Sequence, residues 1–241
     1  MASSRKSLQS PNSGKRIAVA LSGGLDSVVL LDTVCKAQAK GNSKNQAQTK
    51  NEIYAFHIHH GLQKPADDWL IFCEQLAKKY KIHFDFRLLH LDSSEEQGNI
   101  EARARVGRYE ALADLCEEYG IEDLLLAHHQ NDQAETVLLQ LLRGSGVAGL
   151  SGMPQSRHLQ VNNHPITLWR PLLDQSRQEL ETYAKAHKLQ WIEDPSNKDT
   201  KYRRNALRKQ IIPALEKIQP EALANMARSA QLLGESQTLL N

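Results

Sequence analysis

Residues 17–31 read IAVALSGGLDSVVLL. An apolar run of strand length passes through Ser22-Gly23-Gly24-Leu25-Asp26-Ser27 into an apolar segment with helical spacing. A plain reversal of the chain needs one glycine and has no use for an aspartate flanked by hydroxyls. A loop that leaves a buried strand and opens a helix does have a use for them. It presents N–H groups that the helix cannot satisfy, together with the positive end of the helix dipole, and both favour phosphate. Gly23 and Gly24 let the backbone approach a ligand closely, and Ser22 and Ser27 carry hydroxyl donors. Asp26 repels phosphate directly but suits a Mg²⁺ that bridges phosphate oxygens. A phosphate-bearing ligand is therefore expected at Ser22, Gly23, Gly24, Leu25, Asp26 and Ser27.

Strand-length apolar runs at 16–21, 52–59, 82–91 and 123–128 alternate with helical patterns at 27–40, 65–80, 99–119 and 131–143. Such β–α alternation implies an α/β, Rossmann-like parallel sheet with helices on both faces and right-handed crossovers. Ligands of these sheets sit beyond the carboxyl ends of the strands, which directs attention to the segments after residues 21, 58, 91 and 128. Neither G-x-x-x-x-G-K-[ST] nor G-x-G-x-x-G occurs, so the loop is not a Walker loop and a dinucleotide site is not expected. Farther on, residues 159–173 read as a strand or hairpin, 175–188 as a helix, and 202–218 and 220–240 as a C-terminal helical extension. The final helix has no evident body to pack on. Residues 41–51 form a polar, aperiodic loop.

With 40% hydrophobic and 24% charged residues in 241, the chain has the composition of a globular protein with a sizeable core. No apolar run approaches the roughly 18 residues that a membrane span requires, so no membrane partner and a cytoplasmic location are expected. The first 16 residues carry four basic and no acidic side chains, and they read as a flexible leader in preference to a targeting signal. Cys35, Cys73 and Cys116 are far apart and form no C-x-x-C, which suggests reduced, packed thiols and no zinc or iron–sulfur site. The net charge of +2 conceals a contrast, since residues 17–194 carry −6 and residues 195–241 carry +4. A basic C-terminal stripe fits either a polyanion such as RNA or a solvated helix face.

Asp132 and Glu135 lie three apart on a helix that starts near Asn131, so both carboxylates share one face at the expected cleft. They suit an ammonium, an amine that must lose a proton, or Mg²⁺; alternatively they are acids stabilising a helix N-terminus. Of His128 and His129 only one can enter the cleft if the strand alternation holds. With His57 and His59 they leave zinc ligation and hydrogen bonding to phosphate or base both open. Glu101, Arg105 and Arg108 share a helix face by i, i+4, i+7 spacing. Arg105 suits a phosphate, and a surface salt-bridge ladder is the plainer reading. Arg143, before Gly144-Ser145-Gly146, is a weaker phosphate candidate.

Ser-Gly-Gly-x-Asp-Ser resembles the PP-loop of the ATP pyrophosphatases, which cleave ATP to AMP and pyrophosphate while adenylating a substrate. Four more stretches narrow the likeness: HIHHGL at 57–62, NIEARARVGRY at 99–109, HHQNDQAET at 128–136 with LLQLLRGSG at 138–146, and WIEDPSN at 191–197 followed by Tyr202-Arg203-Arg204-Asn205 and Arg208. Taken in order, residues 16–208 resemble the tRNA(Ile)-lysidine synthetases. That resemblance implies ATP and Mg²⁺ as cofactors, and tRNA(Ile) with a CAU anticodon and free L-lysine as partners. In the implied reaction, O2 of the wobble cytidine attacks the α-phosphate of ATP, and the ε-amine of lysine then displaces AMP at C2. It further implies catalytic or lysine-binding roles for Asp132, Glu135, His128 and Arg105, and tRNA contacts for Arg203, Arg204, Asn205 and Arg208. The family commonly has an acid where this chain has Asn131, and it usually continues into C-terminal tRNA-binding domains. The expected organisation is thus a leader at 1–15, a catalytic domain at 16–218 and a helical link at 219–241; a homodimer remains open. The rivals are tRNA thiolation, against which the scattered cysteines speak, and a nucleotide-binding module without catalysis.

Overall fold

The structure, a computed structural model, describes residues 15–41, 51–59, 66–89, 100–162, 164–194 and 203–240. The expected leader, most of the 41–51 loop, the side chain of Glu101, and residues 195–202 including Tyr202 lie outside the described residues.

At the centre of the sheet, β1 (Arg16–Ala20) pairs in parallel with β2 (Glu52–His59) on one side and β4 (Asp123–Leu125) on the other. Beyond β2 runs β3 (His83–Leu88), and beyond β4 runs the hairpin β5 (Ser156–Val161) and β6 (His164–Trp169). The order is β3-β2-β1-β4-β6-β5, parallel throughout except for the edge strand β5. The segment expected to be a strand or hairpin is thus a hairpin, three residues ahead of its expected start. Strand β2 is buried almost throughout because both faces of this sheet are covered.

Alternation along β1 sends neighbouring residues to opposite cores. Val19 joins Leu21, Val28, Leu31 and Ile53 beneath α1 (Leu25–Gly41), α2 (Ala66–Tyr80) and α6 (Arg177–Ala186). Ala18 joins Phe56, Leu112, Leu115, Leu124 and Ile166 beneath α3 (Ile100–Tyr119). Each large side chain so buried contributes about 1.5–3 kcal/mol. A polar node ties the first layer together. Buried Asp32 accepts from Tyr80 Oη at 2.6 Å and Tyr183 Oη at 2.7 Å, and pairs with Lys36 Nζ at 2.8 Å. Burial pushes its pKa up, but the three donors outweigh burial and hold it below the usual value.

The C-terminal helices differ from expectation in two ways. The continuous helix expected over 202–218 is α7 (Arg203–Ala206), a π-helical turn at Leu207–Ile211, and α8 (Ile212–Ile218). Pro213, in the first turn of α8, has no N–H to donate to residue 209, so the ladder slips where that bond would fall. The final helix does find a body. Helix α9 (Ala222–Leu240) packs on α4 (Gln130–Leu141) and on the short α5 (Val147–Leu150). Leu223 of α9 is buried with Ala134 and Ile212, flanked by Leu138 and Met226. Among the described residues no helix is long and apolar enough to cross a membrane.

Candidate active site

The chain winds outward from β1 to β3 in one direction and from β4 in the other, and at this reversal a cleft of about 730 Å³ opens. Topology and size are those of a small-ligand site. Its floor includes Ser22, Gly24, Leu25, Asp26 and Ser27. Gly23 holds φ at +86°, and a Cβ there would lie 3.2 Å from Cys73 Sγ. Its carbonyl accepts from Ile192 N at 2.9 Å, pinning the loop to the segment after α6. Ser27 Oγ donates to Gly24 O at 2.9 Å and accepts from Ser22 N at 3.2 Å, while Ser22 Oγ lies 3.1 Å from Ser27 Oγ. Both hydroxyls therefore brace the loop in this structure, and the groups that open α1 toward an anion are main-chain amides. The Leu25 side chain is buried in the core, so this residue offers only its amide.

Asp26 stands at the edge of this cradle. Its Oδ2 lies 3.6 Å from His129 Nε2 and 4.0 Å from Arg177 Nη1, while Oδ1 is buried with no hydrogen-bond partner. An orphaned carboxylate oxygen beside the main-chain amides that open α1 would suit a Mg²⁺ ligand.

His129, buried at 2% exposure, caps α4 and links the acids. Its Nδ1 accepts from Asn131 N at 3.2 Å, which assigns the ring proton to Nε2, facing Asp26 and Asp132 Oδ2 at 3.5 Å. Asp132 Oδ2 returns the cap by accepting from His129 N at 3.1 Å. Burial pushes the imidazole pKa down, but Asp26 and Asp132 outweigh burial and hold it above the ordinary value. Asp132 is held low although burial opposes this, chiefly by His129 and His128. Asn131, where an acid was expected by resemblance, accepts from Arg177 N at 3.0 Å and joins the starts of α4 and α6.

The expected acid pair is only partly open to the cleft. Asp132 lines it; Glu135 is 1% exposed and faces Arg208. Arg208 Nη2 reaches Asp132 Oδ1 at 3.2 Å and Glu135 Oε2 at 3.0 Å, and its Nε donates to Glu135 Oε1. Burial raises the Glu135 pKa more than Arg208 lowers it. The residues expected on RNA therefore part company. Arg203 is exposed, Arg204 lines the cleft and donates to Thr136 Oγ1 at 3.1 Å, Asn205 is buried, and Arg208 is engaged by the acids.

Arg105, Arg108 and His128 line the wall opposite the loop. Burial first, and then Arg170, Arg105 and Arg204, depress the His128 pKa to about 4 against the pull of Asp132. Arg143 is exposed past the end of α4. The alternative of a zinc set is not met, since among the described residues no three His, Cys, Asp or Glu side chains are grouped to hold a metal ion. His57 Nδ1 instead donates to Leu21 O at 2.8 Å, and His59 Nε2 meets Asp67 Oδ1 at 3.1 Å. Trp69, Tyr109 and Arg177 line the cleft without having been singled out from the sequence. Tyr109 ends the stretch NIEARARVGRY, whereas Arg177 lies outside every quoted stretch.

A family profile described as a PP-loop domain matches residues 1–215. The chain is 45% identical over 226 residues to the tRNA(Ile)-lysidine synthase of Burkholderia mallei, covering 93% of this chain and 43% of that protein. It is 46% identical over 224 residues to that of Ralstonia nicotianae, covering 93% and 46%. For that of Hydrogenovibrio crunogenus the figures are 41% over 223 residues, covering 92% and 50%. The chain spans about half the length of the curated relatives it matches. Among solved structures, the U34-tRNA thiolase NcsA from Methanococcus maripaludis with its 4Fe-4S cluster is similar at a TM-score of 0.73 and 18% identity, over 92% of this chain and 73% of that one. That likeness is one of fold.

Proposed function

The chain belongs to the PP-loop domain family, and from that premise we propose that it adenylates the wobble cytidine of tRNA(Ile) with a CAU anticodon and joins free L-lysine to it. The observation that carries the reading is one cleft holding both the phosphate loop and a cleft-facing, ionised Asp132, with arginines on the opposite wall. The lysidine synthase names of relatives at 41–46% identity support the choice of substrate.

In the first step, cytidine O2 attacks the α-phosphorus of ATP, and the bond to the β-bridging oxygen breaks to release pyrophosphate. In the second, the lysine ε-amine attacks C2, the C2–O bond breaks with AMP departing, and the amine loses a proton. The amides that open α1 hold the phosphates. Asp26 is the residue to hold Mg²⁺, which when bound would neutralise phosphate charge. His129, its Nε2 proton facing Asp26 and Asp132, holds those carboxylates in register. Asp132 suits the lysine ammonium because it lines the cleft and stays ionised, while Glu135, buried on Arg208, holds that guanidinium beside it. Closure of the cleft around both substrates would keep water from the adenylate.

Thiolation is the nearer rival, since the solved fold neighbour is a thiolase. Burial raises the thiols of Cys73 and Cys116 to about 12 and that of Cys35 to about 11, which does not suit sulfur transfer. The test is pyrophosphate release from ATP and the tRNA, with and without free lysine. Lysine-dependent turnover to AMP is expected. Turnover that requires a sulfur donor instead would select the rival, and ATP binding without release would leave a binding module.

A further inference from the structure

One face of the sheet is covered unevenly. Over β2 and β1, the side that carries Val19 and Ile53 is packed beneath α1, α2 and α6. Farther along the same side the helix after β4 turns away, since α4 packs on α9 and α5. Parallel register sets Ile17 beside Asp123 and Leu125 beside Trp169, so these four side chains share that side. Ile17 and Leu125 stay half-buried, and the Trp169 indole is 41% exposed. With Pro171 they wall a cavity of about 400 Å³, the size of a small-molecule site. Its polar end is an ion pair. Asp123, 7% exposed, accepts from Trp169 Nε1 at 2.7 Å through Oδ1 and from the Lys15 ammonium through Oδ2. The Lys15 side chain is itself largely exposed. Among the described residues that line the central cleft, Lys15, Asp123 and Trp169 do not appear.

We propose that this cavity binds a free α-amino acid with an apolar side chain. The ligand's ammonium takes the place of Lys15 on Asp123, Lys15 turns to the ligand's carboxylate, and the side chain lies on Ile17, Leu125 and the Trp169 indole. An exposed ion pair holds weakly and the lysine stem is long enough to swing aside, so the exchange costs little. The Asp123 carboxylate, fixed by the indole N–H, is already oriented to accept from an ammonium. Charge decides the ligand class. An amine alone leaves the Lys15 cation beside a second cation. A carboxylate alone draws Lys15 away and leaves the nearly buried Asp123 without its cation. A zwitterion gives each charge a partner and buries no net charge. The apolar walls favour a side chain such as that of leucine or phenylalanine, and a flat ring stacks well on indole. The site is separate from the lysine-binding role proposed for Asp132 and stands without it.

The test is an NMR titration of the full chain with L-phenylalanine. It follows the Trp169 indole N–H signal, identified by its loss in Trp169→Phe, and the backbone amides of Gly24 and Ser27. L-Phenylalanine should move the Trp169 signal saturably, with a Kd of about 1 mM or below, and leave the loop amides in place. Glycine, which has both charges and no side chain, should not move it. Phenethylammonium and hydrocinnamate, each missing one charge, should bind more weakly by about threefold to tenfold. Lys15→Met, at an exposed position, should bring L-phenylalanine level with phenethylammonium. Asp123→Asn, which can still accept from the indole, should weaken L-phenylalanine by about tenfold or more. A Trp169 signal that L-phenylalanine never moves overturns the site, as does phenethylammonium binding as tightly as L-phenylalanine to the parent. A signal that shifts with protein concentration alone would place a second copy of the chain on this face and overturn it equally. Lysine-dependent turnover should be unchanged in Lys15→Met, so this site and the proposed activity fail separately.

Discussion

Across the cleft, the loop Ser22–Ser27 and the wall bearing Arg105, His128 and Arg204 differ in what holds them in place. The loop is main chain. Its shape follows from six consecutive residues, a left-handed glycine and two serines bonded to the loop itself. The opposite wall is side chain, assembled from α3, the segment after β4 and α7. A main-chain cradle loses no rotamer entropy on binding and reads only charge and shape. A wall of long side chains can be rearranged, and its arginines are already shared with Tyr109 and Thr136. The division suits a site that holds a nucleotide on one side and admits a second substrate on the other.

The sharpest way to break this comparison is at Asp26. Asp26→Ala should lower AMP formation by about a hundredfold or more, while circular dichroism and melting temperature stay close to the parent. An unfolded variant would make the loop side a structural element. Next in size is the contrast between the two loop glycines. Gly23→Ala meets both a positive φ and Cys73 Sγ at 3.2 Å, so urea unfolding should register a loss of about 1–3 kcal/mol. Gly24→Ala, whose new Cβ meets nothing nearer than 3.6 Å, should change stability by less than about 1 kcal/mol. Equal losses would show that conformation is not what distinguishes the two positions.

A smaller effect separates the adjacent histidines. His128 is depressed to about 4 from an ordinary 6.5, so between those values the unfolded chain takes up a proton that the folded chain refuses, and stability falls as pH falls. His129 is raised, so its contribution is complete below 6.5 and is lost as pH rises through its folded value. His128→Gln should therefore flatten the acid limb of the stability profile by on the order of 1–2 kcal/mol, and His129→Gln should flatten the limb above it. Parallel profiles would remove the opposition between them. The smallest expected effect belongs to Arg204→Ala, which should weaken RNA binding most at low salt and reduce the slope of log K against log salt by about one. ATP affinity should be unchanged; a loss there would place Arg204 on the nucleotide.

The same contrast explains how much the sequence discloses. Strand and helix order, and the loop between β1 and α1, follow from local periodicity and from residues that touch one another along the chain. Asp132 was visible because a helix N-terminus and a strand end specify a position. The engagement of Arg208 by Asp132 and Glu135 was not, because a π-helical turn far along the chain sets where that guanidinium points. Docking of α9 was hidden for a related reason. Ala134 and Leu138 read as part of an ordinary amphipathic helix, and only the fold shows that their face turns to Leu223 and Met226 rather than to the sheet.

The most direct measurement of the central claim is a difference electron-density map from crystals soaked with ATP and Mg²⁺. The account predicts the triphosphate against the amides of Gly24 to Ser27 with Asp26 at its edge and Asp132 facing the same cavity. A triphosphate lodged anywhere else, with those amides left bare, would contradict it.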